Sequence, residues 1–191
     1  ESAIQINVGT GGQISWPVDT FRRVAGMDTR YLPHGRFLLV GAGLAGGDAY
    51  AWVNHILGQW LSPFGNPPAA ESLYSQLNEL AATVPSDADG LTCQPLFRGT
   101  RREPHARGRL TGITWENFTP GHLARAVLAG IAEGFAWFFD NAAEARPADF
   151  EKIIGSGNGL RQNPLLVDCL ARRFDRPVYL PVHSQEAAYG A

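Results

Sequence analysis

Three glycine-rich turns, each directly behind a run of apolar residues, constrain this chain more than any other feature. Val8-Gly9-Thr10-Gly11-Gly12 closes the alternating run 3–8. Gly41-Ala42-Gly43-Leu44-Ala45-Gly46-Gly47 follows Arg36-Phe37-Leu38-Leu39-Val40, and Ile154-Gly155-Ser156-Gly157-Asn158-Gly159 follows Lys152-Ile153. Glycine lets backbone N–H groups come close to an anion, and a helix starting behind the turn adds the favourable end of its dipole. No turn fits GxxxxGK[ST], and the Gly41–Gly47 stretch is not GxGxxG, so neither a P-loop nor a Rossmann fingerprint is present. Taken singly, each is most simply a tight turn. Three in one α/β domain point to a crevice beyond strand ends, where such sheets bind ligands. On the residues alone the chain is a candidate nucleotide binder, and no more.

The remaining pattern supplies the elements around these turns. Period-two alternation predicts a strand over 3–8 and a second over 13–17, paired as a hairpin. A strand over 36–41 feeds the small-residue loop Gly43–Gly47 and then a helix over 48–61. Leu73, Leu77, Leu80 and Val84 make one stripe of a helix over 71–84. Short strands are expected over 91–97 and 109–114, flanking the charged loop 98–107. Thr119-Pro120 has the chemistry of an N-cap and first helical position, opening a long helix to about Ala145. A strand over 152–154, a helix over 165–174, a strand over 177–180 and the start of a last helix over 184–191 follow. Strands in front and β-turn-α alternation behind predict one mixed α/β domain spanning 1–191, without repeats.

Charge and composition exclude several functions. A formal net charge of −2 with no basic block argues against nucleic acid or an anionic membrane as partner. The longest apolar stretch, 124–139, is broken by Arg125 and Glu133 and cannot span a bilayer. Cys93 and Cys169 form no CxxC pair, which fits a reducing, cytoplasmic setting. His34, His55, His105, His122 and His183 lack metal-ligand spacing, and Ser156 lacks a GxSxG elbow. Arg98, Arg101, Arg102, Arg107 and Arg109 would suit a phosphate clamp, although a solvated loop paired with Glu103 is the simpler account. Trp52, Trp60 and Trp137 stand at helical positions and are expected in the core. The chain opens at Glu1 on a strand and its one methionine is Met27, so it is read as a piece of a longer protein.

Several blocks resemble the C-terminal domain of the FGGY carbohydrate kinases. Gly9-Thr10-Gly11 is similar to that domain's opening turn. Pro95-Leu96-Phe97-Arg98-Gly99-Thr100-Arg101-Arg102-Glu103-Pro104, with Ala106-Arg107-Gly108, resembles its Gly-Glu-Arg-x-Pro loop and later Ala-Arg-Gly. Gly108-x-Leu110-x-Gly112-Ile113 and His122-Leu123-x-x-Ala126-Val127-Leu128 resemble the second family signature. That likeness breaks at Ala129, where an acidic or amide residue is expected. Gly155-Ser156-Gly157 with Asn163 resembles the adenine-side turn, and Glu186-Ala187-Ala188-Tyr189-Gly190-Ala191 the closing helix. The blocks keep family order along essentially the whole chain. Gly155-Ser156-Gly157 and Gly46-Gly47 are most similar to the sedoheptulokinase group.

The resemblance implies a ribonuclease H-like, actin-like ATPase domain: a mixed sheet with helices on both faces. It implies ATP with Mg²⁺ as cofactor and a sugar reached through an N-terminal domain. Gly9, Thr10 and Gly11 would lie by the transferred phosphate, and Gly46 and Gly47 by the phosphate tail. Gly155, Ser156, Gly157 and Asn163 would flank adenosine. The family's catalytic aspartate belongs to a Gly-Asp segment just before the opening turn. None of the eight residues before Gly9 is aspartate, so the base is expected upstream of Glu1 and the isolated chain is expected to be inactive. A non-catalytic actin-like scaffold or regulator is the alternative. Apolar surface is expected where the other domain docks, and a homo-oligomer through such a face stays open.

Overall fold

A computed structural model describes residues 2–65, 69–100 and 103–182. The strand β1 (Ala3–Val8) buries Ile4, Ile6 and Val8 and turns Gln5 and Asn7 outward, as its alternation predicts. It pairs antiparallel with β2 (Gly11–Val18), which pairs antiparallel with β4 (Phe37–Ala45). On the other side β1 pairs parallel with β7 (Lys152–Ser156), and β7 parallel with β8 (Val178–Tyr179). The sheet order is β3-β4-β2-β1-β7-β8, with β3 (Asp28–Tyr31) on one edge. Two antiparallel steps separate β4 from β1, so β1, β4 and β7 all run toward the same end of the sheet.

The small-residue segment behind β4 is shorter than the sequence suggests. Gly12 faces Leu44 but Gln13 faces Ala42, so Gly43 is the extra residue of a β-bulge, with φ +81°. The bulge lets strand pairing resume to Ala45 and shrinks the expected loop to Gly46. A three-residue run such as Gly43-Leu44-Ala45 carries no outward sign that it pairs. The edge strand β3 is equally unmarked, because Asp-Thr-Arg-Tyr has neither alternation nor a buried face.

Among the described residues five α-helices pack with these strands: α1 (Gly47–Leu61), α2 (Ala70–Thr83), α3 (Pro120–Asn141), α4 (Asn158–Arg161) and α5 (Pro164–Phe174). The Thr119 hydroxyl accepts from the His122 N–H and Pro120 follows it, giving the predicted start of α3. This helix lies so close to the sheet that a Cβ on Gly12 or Gly41 would stand 2.6 Å from Phe135 or Phe138. Trp16 donates from Nε1 to the Ala145 carbonyl at 2.8 Å and meets Phe139 edge-on. A separate two-stranded sheet, β5 (Thr92–Gln94) with β6 (Arg109–Thr111), replaces the longer strands expected there.

Two tryptophans expected in the core are on the surface: Trp60 is 54% exposed and Trp137 56%. Trp60 and Leu80 border an open apolar hollow of about 400 Å³ between α1, α2 and Pro120. Leu80 keeps its place on the α2 stripe, but no element among the described residues covers it. Trp52 alone of the three packs inward, stacked on Phe97 at 3.8 Å. The expected last helix, 184–191, lies outside the described residues, as do His183, Arg101 and Arg102.

Candidate functional site

Strand direction brings the three turns together. Asn7 and Ser156 face each other across the parallel pair, and Asn7 Nδ2 donates to Ser156 Oγ at 2.8 Å. On the other flank Gly11 pairs with Ala45. The Gly47 N–H donates to the Gly9 carbonyl at 2.9 Å and the Asp48 N–H to the Thr10 carbonyl at 3.0 Å. The turn between β1 and β2 therefore sits between the other two and touches both.

Glycine is required at most of these contacts by the protein's own backbone. A Cβ on Gly46 would lie 2.5 Å from the Gly11 carbonyl carbon, and one on Gly47 2.9 Å from the Gly9 oxygen. Gly157 has φ +90°, and its Cβ would stand 2.4 Å from the Val8 oxygen. Gly155 faces the side chains of Leu180, Leu160 and Val178 at 2.8 to 3.1 Å. Gly9 differs. Its φ is not positive, and among the described residues beyond its chain neighbours a Cβ there would meet nothing nearer than the Gly11 oxygen at 4.0 Å. Internal packing therefore does not explain the absence of a side chain at Gly9.

The donors are distributed differently from what the turn chemistry alone suggests. The Gly46 N–H donates to Asp48 Oδ1 at 3.2 Å, and the Ala49 N–H to the Gly46 carbonyl at 3.1 Å. With Gly47 and Asp48 engaged on the first turn, the amides at the start of α1 are already used inside the protein. The glycines at 46 and 47 secure turn-to-turn contact and leave no helix-start amide over for an anion. Thr10, exposed at the apex of the first turn, is placed to offer a hydroxyl.

Asn163 is buried as the N-cap of α5, its Oδ1 accepting from the Leu166 N–H at 3.2 Å. It also reaches residues that the sequence pattern did not single out. Asn163 Nδ2 donates to Asn78 Oδ1 at 3.3 Å, and the Tyr50 hydroxyl donates to the same oxygen at 2.7 Å. Burial pushes the Tyr50 hydroxyl well above its ordinary ionisation range, against an opposing bond from Asn163. Asn78 is one polar residue on an amphipathic helix, and nothing in its neighbours distinguishes it.

The other candidates resolve as structural. His122 is held between Thr119 Oγ1 at 2.7 Å and Asp89 Oδ2 at 2.9 Å. Arg98 is 86% exposed, 4.0 Å from Asp48, while Arg107 binds the backbone carbonyls of Pro104 and Ala106. These described arginines form a solvated loop. Cys93 and Cys169 are free and buried, the Cys93 thiol pushed up to about 12 by burial. Among the described residues no three His, Cys, Asp or Glu side chains are grouped to hold a metal, and no helix is long and apolar enough to cross a membrane. An open hollow of about 540 Å³ on the β7–β8 side is lined by Lys152, Ile154, Tyr179 and Leu180, apart from the turns.

The sequence matches the FGGY family of carbohydrate kinases, C-terminal domain, over residues 6–191. The chain belongs to this family. Sedoheptulokinases of Mus musculus and Homo sapiens are each 28% identical over 155 residues, 81% of this chain and 32% of theirs. A xylulose kinase from Rhodospirillum rubrum superposes with a TM-score of 0.81 at 28% identity, over 100% of this chain and 36% of that one. A Plasmodium falciparum glycerol kinase solved with ADP superposes with a TM-score of 0.74, over 98% of this chain and 36% of its own. At 16% identity it shows the fold alone. The chain thus spans about a third of the curated relatives it matches. It is a sedoheptulokinase-like FGGY C-terminal domain with the ribonuclease H-like, actin-type α/β fold, in a family of phosphotransferases.

Proposed function

We propose that the three converging turns hold ATP or ADP, and that the chain is the nucleotide-binding half of an ATP-dependent kinase of a ketose such as sedoheptulose. Gly9 carries the reading: an uncrowded glycine at the centre of three adjoining turns, where a side chain would obstruct a ligand and nothing else. In this assignment Gly9, Thr10 and Gly11 face the transferred phosphate. Gly46 and Gly47 shape the wall along the phosphate tail, and Gly155, Ser156, Gly157 and Asn163 flank adenosine. The likeness to sedoheptulokinases at 28% identity supports the choice of sugar.

Bound nucleotide supplies the phosphoryl group, and the Mg²⁺ that neutralises its charge arrives with it. The chain's own part is to orient the nucleotide and shield it from water along the turns. No aspartate among these residues stands where the family's base belongs. We therefore assign proton removal and most sugar contacts to the rest of the kinase, and assign the chain by itself binding without turnover. The cytoplasm, where two buried free thiols persist, is the compartment proposed.

Isothermal titration of the chain with Mg-ADP tests the reading. Saturable binding is expected, with Gly9→Val weakening it at least tenfold and leaving Tm within about 2 °C, because a Cβ at this position comes no nearer than 4.0 Å to the Gly11 oxygen. No heat of binding at millimolar nucleotide, or a Gly9→Val variant that binds normally, would refute it.

A further inference from the structure

Three helices meet at one amide oxygen. Asn78 Oδ1, half-way along α2, takes hydrogen bonds from Tyr50 on α1 and Asn163 at the start of α5. Tyr50 stands three residues after Gly47, which is bonded to the first turn; Asn163 stands six residues after Gly157 on the other flank. Each partner of Asn78 therefore belongs to one side of the candidate site. Tyr50 and Asn163 are each 6% exposed, so their polar groups depend on this shared acceptor and on one another. A phenylalanine or leucine would fill the same space without that dependence. What the polar set adds over an apolar contact is direction: the bonds hold only at one separation of the three helices.

We propose that Tyr50, Asn78 and Asn163 are positioning residues that fix the span between the phosphate-side and adenosine-side turns, so that the site favours a ligand as long as a nucleoside diphosphate over a bare polyphosphate. This rests on the nucleotide reading above. None of the three need touch a reacting atom.

The test compares two probes, Mg-ADP, which bridges both sides, and Mg-tripolyphosphate, which reaches only the phosphate side. Isothermal titration of the chain carrying Tyr50→Phe, which loses one bond to Asn78, or Asn78→Leu, which loses two, is expected to show Mg-ADP weakened about fivefold or more, with tripolyphosphate within twofold of the unmodified chain. Asn78→Asp keeps an acceptor oxygen and is expected to retain Mg-ADP affinity within twofold. Tyr50→Phe, which removes one hydroxyl and little volume, decides the matter if Asn78→Leu does not fold. Equal losses on both probes, unchanged Mg-ADP affinity in Tyr50→Phe, or failure of Asn78→Asp to retain it would each overturn the proposal while the nucleotide reading stands. An unmodified chain that binds neither probe would remove that reading, and the proposal with it.

Discussion

The glycine turns and the arginine loop were both candidates for holding an anion, and the fold treats them in opposite ways. At the turns, backbone packs on backbone with almost no side chain between, and a Cβ added at Gly46, Gly47 or Gly157 would stand only 2.4 to 2.9 Å from backbone atoms. In the loop, long charged side chains stand in water, as with Arg98, or fold back on their own carbonyls, as with Arg107. Charge density alone is therefore a poor guide to a rigid anion site. A surface guanidinium keeps its hydration and rotamer freedom and gives up little when its partner moves. Interlocked turns have no alternative arrangement, which is what a pre-formed ligand site requires.

The sharpest way to break this comparison is Gly46→Val. Its side chain would collide with the Gly11 and Thr10 backbone at 2.5 to 2.9 Å, which cannot rotate aside. A loss of about 4 kcal/mol or outright misfolding is expected in urea melts. A variant as stable as the parent would show that the turns are separable.

The buried ion pair behind the site is a second contrast with Arg98. Arg125 on α3 is buried and donates from Nη2 to Asp168 on α5 at 3.1 Å. Asp168→Ala strands that guanidinium and is expected to cost about 2 kcal/mol, at the low end for a broken buried pair because the carboxylate is 38% exposed. Burial alone would raise the Asp168 pKa, but bonds from Arg172 and Arg125 outweigh it and hold it below the ordinary carboxylate range. For a lowered pKa the stabilisation is fully present above about pH 4, the unfolded value, and is lost as pH falls through the folded one. Acid-unfolding curves of the parent should show this limb, and those of Asp168→Ala should lack it.

Smaller effects sharpen the picture. Asn163→Ala removes both the cap of α5 and the bond to Asn78, and is expected to lower stability by about 1–2 kcal/mol in the same melts. Arg98→Ala should change stability by less than about 0.5 kcal/mol and leave Mg-ADP affinity within twofold. A tenfold loss of affinity in Arg98→Ala would restore the loop as part of the site.

Much of this was legible in the sequence, for reasons that can be named. The alternation of residues 3–8 and the Thr119-Pro120 helix start are local signals, and the structure carries both; the helix expected over 165–174 starts one residue earlier, at Pro164 behind the cap Asn163. That the three turns converge follows from strand direction, which a sequence does not state until the pairing of β1, β4 and β7 is known. The bulge at Gly43 was hidden because a glycine in a strand and a glycine in a loop look the same. Trp60 and Trp137 misled because helical spacing shows which residues share a face and not whether another element covers it. Asn78 was invisible, since its importance lies wholly in what two distant helices bring to it.

The most direct measurement is an amide-resolved NMR titration of the chain with Mg-ADP. The backbone signals of Gly9–Gly11, Gly46–Gly47 and Gly155–Gly157 are expected to shift together along one binding curve, with the 103–109 segment unmoved. Shifts confined to the arginine loop, or to one turn alone, would contradict a site built from all three.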